Sequence, residues 1–221
     1  CACAGIICGI IQLTGIGSKF SSLMLSVAGD NIFIALLMTM LASLILGCGL
    51  PTTAAYMVLA TLAVPALTKM GVPMVAAHLF VLYFGSISTI TPPVALSAYA
   101  GAALAGANPN KVGFRAFRFG LIAFIIPFMF VYSPPLLLQG GALSIVQGVI
   151  TGCIGVLCIA ICVQGYLLAP VGVVERIAAF AAGLLLIFSG LVTDLIGFAL
   201  FAGIIVLQLI HKKKLTATPA T

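Results

Sequence analysis

Two long apolar stretches, residues 32–47 and 54–67, are separated by the segment Gly47-Cys48-Gly49-Leu50-Pro51-Thr52-Thr53, and this break limits what the chain can fold into. Gly admits unusual backbone angles and Pro withdraws an amide donor, so main-chain groups are freed at an apolar depth. In a bilayer such backbone survives only where it is buried in protein or lines a polar cavity. The pattern predicts a re-entrant helical hairpin over about 32–67 that returns to the side it came from. Its tip, Gly47 to Thr53, is then enclosed by protein. Two ordinary spans joined by a tight loop are the alternative.

A second break follows. Gly85-Ser86-Ile87-Ser88-Thr89-Ile90-Thr91-Pro92-Pro93 interrupts an otherwise apolar run over about 74–105 with four hydroxyls and two adjacent prolines. Two prolines do not both fit a regular helix interior, so the helix unwinds here. Discontinuous helices facing each other near mid-membrane point to a transport site. Each break supplies carbonyls, half-helix dipoles and hydroxyls, which suit Na+ and a carboxylate. The candidate ion and substrate site therefore comprises Gly47, Gly49, Pro51, Thr52 and Thr53 at the tip, with Ser86, Ser88, Thr89, Thr91, Pro92 and Pro93 at the second break. Thr53 and Thr91 are the expected hydroxyl ligands of a monovalent cation, with carbonyls of Gly47, Gly49, Ser86 and Ser88; no acid stands there to hold a divalent ion. Alternatively, the hydroxyls only bond to neighbouring helices.

Composition carries the reading from these breaks to the whole chain. With 63% hydrophobic and 5% charged residues and a mean hydropathy of +1.37, the chain departs from soluble domains, which carry about 25% charged residues. An all-α integral membrane protein follows, a helical bundle with room for roughly six to eight membrane-crossing arms. The expected helices are a first span over 2–17 ending at Lys19, a short stretch over 21–28, and a turn at Gly29-Asp30-Asn31 with a helix N-cap signature. After the two breaks come a basic amphipathic stretch with Lys111, Arg115 and Arg118, and then spans over 120–134 and 142–163. A last pair of arms, 177–189 and 195–210, is separated by Gly190 to Asp194, and 216–221 is by composition a disordered tail.

The net charge of +6 does not indicate nucleic acid, because the basic residues lie singly at segment ends apart from the group at 111–118 and Lys212, Lys213 and Lys214. That distribution anchors cytoplasmic loops. Counting crossings then places Lys111 to Arg118, Arg176 and the C-terminus of this multi-pass protein in the cytoplasm, and Lys19, Lys69 and Gln139 on the opposite side of the membrane. The chain opens at Cys1 inside an apolar run without an initiating Met or a basic leader, and so reads as a C-terminal part.

Seven cysteines lack CxxC spacing and neighbouring histidines, so neither a disulfide framework nor a metal cluster is expected. Asp30, Glu175, Asp194, His78 and His211 form no acid pair, and HExxH and GxSxG patterns are missing from the sequence. An enzyme is not indicated. No cofactor is expected beyond the coupling ion.

The segments GCGLPTTAAYMVLATLAVPAL and FGSISTITPPVALSAYAGAALAGANP resemble the large permease subunit of tripartite ATP-independent periplasmic (TRAP) transporters, and in particular the fused permeases of the TAXI branch. The resemblance covers essentially the whole chain and is strongest over about 19–134. It implies an elevator-type secondary transporter with two inverted repeats, importing an organic anion delivered by a periplasmic binding protein and coupled to an ion gradient, usually Na+. This chain would hold the second repeat over 1–138, with additional helices over 139–221. The missing first repeat and small-subunit helices would be its partners in the bilayer. The other TRAP branch has Asp-Gly-Thr where this chain has Pro51-Thr52-Thr53, so only Thr53 carries across, and it has Gly where Ser88 and Ala95 stand. A carrier that works without a binding protein is the rival within transport. A non-transporting membrane scaffold is the rival outside it.

Overall fold

The structure, a computed structural model, describes residues 2–187 and 190–217. Among these the chain is helical, with no strand beyond one isolated bridge between Tyr166 and Pro170. It divides into two compact units, residues 1–131 and 132–221.

In the first unit, α1 (Ala2–Thr14) and α2 (Ile16–Ala28) meet at Gly15, whose φ of 65° is open to glycine, and are bent by 70°. Lys19 thus lies inside α2 and does not end the first helix, as the sequence suggested. The reason is that Gly15, four residues earlier, takes the turn. Helix α3 (Ile32–Gly47) starts where expected: Asn31 Oδ1 accepts from the amides of Phe33 at 3.0 Å and Ile34 at 3.4 Å, the side-chain cap that leaves fewer orphan donors at a helix start. Helix α4 (Thr52–Leu62) and the short α5 (Val64–Lys69) complete the second arm. Both α3 and α4 pack on α6 (Met74–Ile87), which a 3-10 turn, Ser88–Ile90, extends before α7 (Leu96–Leu104).

Helix α8 (Pro109–Gly120), a 3-10 turn over Leu121–Phe124 and α9 (Ile126–Tyr132) make one apolar helical stretch, Pro109–Tyr132. The basic residues Lys111, Arg115 and Arg118 therefore belong to this stretch, whereas the sequence placed them before it. An aromatic cluster fixes α9 against α6. Phe80 and Phe84 meet Phe128 edge to face, with ring centroids 5.2 and 6.1 Å apart, and Tyr83 meets Phe130 at 5.4 Å; such pairs contribute about 0.5–1.5 kcal/mol beyond their buried area.

In the second unit a 3-10 turn, Pro134–Leu137, leads into α10 (Ala142–Gln164), α11 (Val173–Ile187) and α12 (Leu191–Ala217). Helices α10 and α11 approach closely through small residues: a Cβ added at Gly183 would stand 3.1 Å from the Gly155 carbonyl and 2.6 Å from Ile159 Cγ1. Small residues at helix contacts are how membrane helices gain packing without a hydrophobic drive. The loop expected over 190–194 is instead the first turn of α12, because the Gly190 carbonyl accepts from the Asp194 amide at 2.8 Å. The expected tail begins inside this helix, and residues 218–221 lie outside the described residues, as does Ser189.

Among the described residues three helices are long and apolar enough to cross a membrane, Pro109–Tyr132, Ala142–Gln164 and Val192–His211, and the bent α1–α2 pair makes up to four. Helix α3 and the stretch Met74–Ile90 are apolar but shorter. The breaks divide apolar sequence into pieces below the about 20 residues of a full span.

Candidate functional site

The two breaks touch. A Cβ added at Gly47 would lie 2.6 Å from Ser88 Oγ, 3.0 Å from Ser88 Cβ and 3.4 Å from Gly85 Cα. Only a residue without a side chain lets the end of α3 reach the end of α6 this closely. Gly85 in turn receives Leu59 and Ala55 of α4 at 3.4 and 3.7 Å from its missing Cβ, so both hairpin arms converge on one turn of α6. At the tip itself Gly49 adopts φ 82°, and Pro51 starts α4 by accepting from the Ala55 amide at 2.9 Å.

Unwinding of the second break comes later than the sequence suggested. Helical geometry continues through Gly85 to Ile87, and the 3-10 turn carries it to Ile90. The chain leaves the helix at Thr91, passes a cis Pro92–Pro93 peptide, and re-enters at Leu96 after Ala95 at φ 37°. Lacking N–H groups, the two prolines deprive the carbonyls of Ser88 and Thr89 of their helical donors. The Thr91 amide takes up that of Ser88 at 3.2 Å. Glycine alone suits a left-handed backbone comfortably, so fully buried Ala95 stands in a conformation made for Gly.

Of the expected hydroxyls, all four at this break are tied to the preceding turn. Ser86 donates to Leu82 O at 2.9 Å, Ser88 to Gly85 O at 2.6 Å, Thr89 to Ser86 O at 2.7 Å and Thr91 to Ile87 O at 2.8 Å. Each bond uses the single O–H and leaves oxygen lone pairs, so these groups remain able to accept a donor or ligate a cation. Ser88 is buried, and Ser86, Thr89 and Thr91 are half-buried; Thr52 and Thr53 stand exposed in the first turn of α4, with Gly49 and Pro51 before them. The structure thus joins Gly47 to Ser88 directly. A cavity of about 370 Å³ alongside is lined by Leu82, Tyr83, Ser86, Ile87, Ile90 and Ala123. Ser86 is the one expected residue it reaches, and its wall is otherwise apolar.

Two residues were not foreseen. Ser43 lies four residues before Gly47 and four after Thr39, on the buried face of α3, and its hydroxyl is buried without a hydrogen-bond partner among the described residues. The repeat Thr39, Ser43, Gly47 at a spacing of four carried that signal. Tyr99 donates to Pro93 O at 3.0 Å and lies 3.4 Å from Asn110 Oδ1, tying the break to α8. His78, which appeared solitary in the sequence, is bonded to the Tyr56 hydroxyl at 2.9 Å.

Among the described residues no group of three or more His, Cys, Asp or Glu is placed to hold a metal ion. What the tip and break offer is neutral: main-chain oxygens, hydroxyls, and the amide ends of α4 and α7. A family model described as the tripartite ATP-independent periplasmic transporter, DctM component, matches residues 1–145. No curated protein and no solved structure matches the chain.

Proposed function

The chain belongs to the DctM family of TRAP transporter permease components, and from that premise we propose that its hairpin tip and broken helix form the ion and substrate site of a carrier for small organic anions. The chain is a multi-pass membrane protein and not, on this family, an enzyme. The direct packing of Gly47 on Ser88 carries the proposal, because it sets the C-terminal ends of α3 and α6 side by side, with α4 and α7 beginning after the two breaks. Amide ends of α4 and α7 suit a carboxylate, and neutral oxygens of Thr53, Thr91 and the neighbouring carbonyls suit Na+ without requiring a buried acid. In this reading a periplasmic binding protein delivers the anion and a Na+ gradient drives it inward. The chain is the second repeat of a TAXI-type permease moving as an elevator, with the basic segments near 111–118, Arg176 and the C-terminus in the cytoplasm.

The test is uptake by the complete permease, reconstituted with its binding protein, in a Na+ gradient and in a proton gradient. Thr91→Val keeps the shape and deletes one oxygen. Losing such a polar partner costs about 1–3 kcal/mol, so half-maximal uptake should need roughly 5- to 150-fold more Na+. Unchanged Na+ dependence in both Thr91→Val and Thr53→Val would remove both from the ion site. Uptake without the binding protein would favour a self-sufficient carrier.

A further inference from the structure

Beyond the residues matched by the family, the second unit contains two buried carboxylates that are treated differently. Glu175, in the first turn of α11, is fully served: its Oε2 accepts from Gln208 Nε2 at 2.6 Å and from the Gly172 amide at 3.2 Å, and its Oε1 lies 3.2 Å from His211 Nδ1. Gln208, 0% exposed, passes the linkage on by accepting from the Ala169 amide at 3.0 Å. Asp194, in the first turn of α12, is 4% exposed. Its Oδ2 accepts from Gln147 Nε2 of α10 at 2.9 Å, while its Oδ1 is buried with no partner among the described residues. A carboxylate oxygen withdrawn from water without a donor is costly, and an ionisable group inside a membrane helix normally faces a partner or an ion path.

We propose that Asp194 and Gln147 form a binding site for a monovalent metal cation in the C-terminal unit, separate from the hairpin site. The Asp194 carboxylate supplies the charge through Oδ1. Because Gln147 donates through Nε2, the lone pairs of its amide oxygen are not used in that bond and can supply a second hard ligand. Gln147 is itself exposed, which gives a hydrated ion a way in. A divalent ion is disfavoured because one acid stands alone here, without the several carboxylates such ions collect. Glu175 needs no ion, since two donors, the Gln208 amide and the Gly172 N–H, and a His211 ring nitrogen already face it.

The experiment is hydrogen exchange on the full permease chain in lipid nanodiscs, comparing NaCl with choline chloride at equal ionic strength. In the unaltered protein NaCl should slow exchange several-fold over 142–150 and 190–197, and Asp194→Asn should abolish that protection while leaving any Na+ response over 47–53 and 86–95 in place. Gln147→Leu, which retains the acid, should raise the NaCl concentration for half protection roughly 5-fold or more, and it reads the site independently if Asp194→Asn does not fold. Equal protection by choline, no protection over 142–150 and 190–197, or full protection in both variants overturns the assignment. Because the two sites are read on different segments, loss of one leaves the other standing.

Discussion

In the first unit the polar groups that interrupt apolar helices are main-chain atoms and hydroxyls, and in the second they are carboxylate and amide side chains on continuous helices. The hairpin tip and broken helix manage their freed backbone by closeness: Gly47 against Ser88, Gly85 against Leu59, and each of the four hydroxyls of the broken helix folded back on the preceding turn. The second unit keeps its helices regular and connects them by long-range side-chain bonds, Gln147 to Asp194 and Gln208 to Glu175. The lesson concerns what each can do. Backbone breaks with neutral oxygens can be rearranged by small main-chain movements, as the ion and substrate site proposed above would require. Charged side-chain bonds between regular helices hold a geometry, because breaking one leaves a buried group unpaired.

The largest effect should come from the second kind of interaction. Gln208→Leu removes the 2.6 Å donor of Glu175 and the acceptor of the Ala169 amide together. Losing a hydrogen bond to a buried charged group costs about 1.5–3 kcal/mol. Thermal unfolding should fall markedly, and hydrogen exchange should rise over 166–175. A neutral result would mean that the side-chain network does not hold the second unit as the comparison requires.

A somewhat smaller loss of stability, with a larger loss of function, is expected at the tip. Gly47→Ala puts a methyl 2.6 Å from Ser88 Oγ and 3.0 Å from its Cβ, overpacking of the kind that costs about 1–3 kcal/mol. Uptake should collapse, and Ser88→Gly in the same chain should recover much of it by removing both opposing atoms. Failure of that rescue in a folded protein would show that closeness of the two breaks is not what the tip needs.

The smallest effect is the one with the opposite sign. Ala95 is held at φ 37°, and Ala95→Gly relieves a left-handed backbone at the expense of greater freedom in the unfolded chain, for a net gain of about 1 kcal/mol or less. A modest rise in unfolding temperature checks it. A fall would mean that the Ala95 methyl, against which α8 passes at Gly113, contributes more by packing than its backbone costs.

Much of the architecture was legible in the residues. The apolar runs and the Asn31 cap announced α3, and the Gly and Pro clusters located the tip and the second break, because chain chemistry alone forbids regular helix at Pro92-Pro93. Composition determined that the helices belong in a membrane. Other features depended on partners distant in sequence. That Gly15 would bend α1 against α2 while Gly85 stayed helical follows from packing: Gly85 is covered by Leu59 and Ala55, and a glycine so enclosed has no freedom to unwind. The pairing of Gly47 with Ser88, the unpartnered hydroxyl of Ser43 and the contrast between Glu175 and Asp194 are likewise beyond any local pattern. Hydropathy and turn chemistry act over a few residues, whereas whether a buried oxygen finds a donor is decided only when helices tens of residues apart are brought side by side.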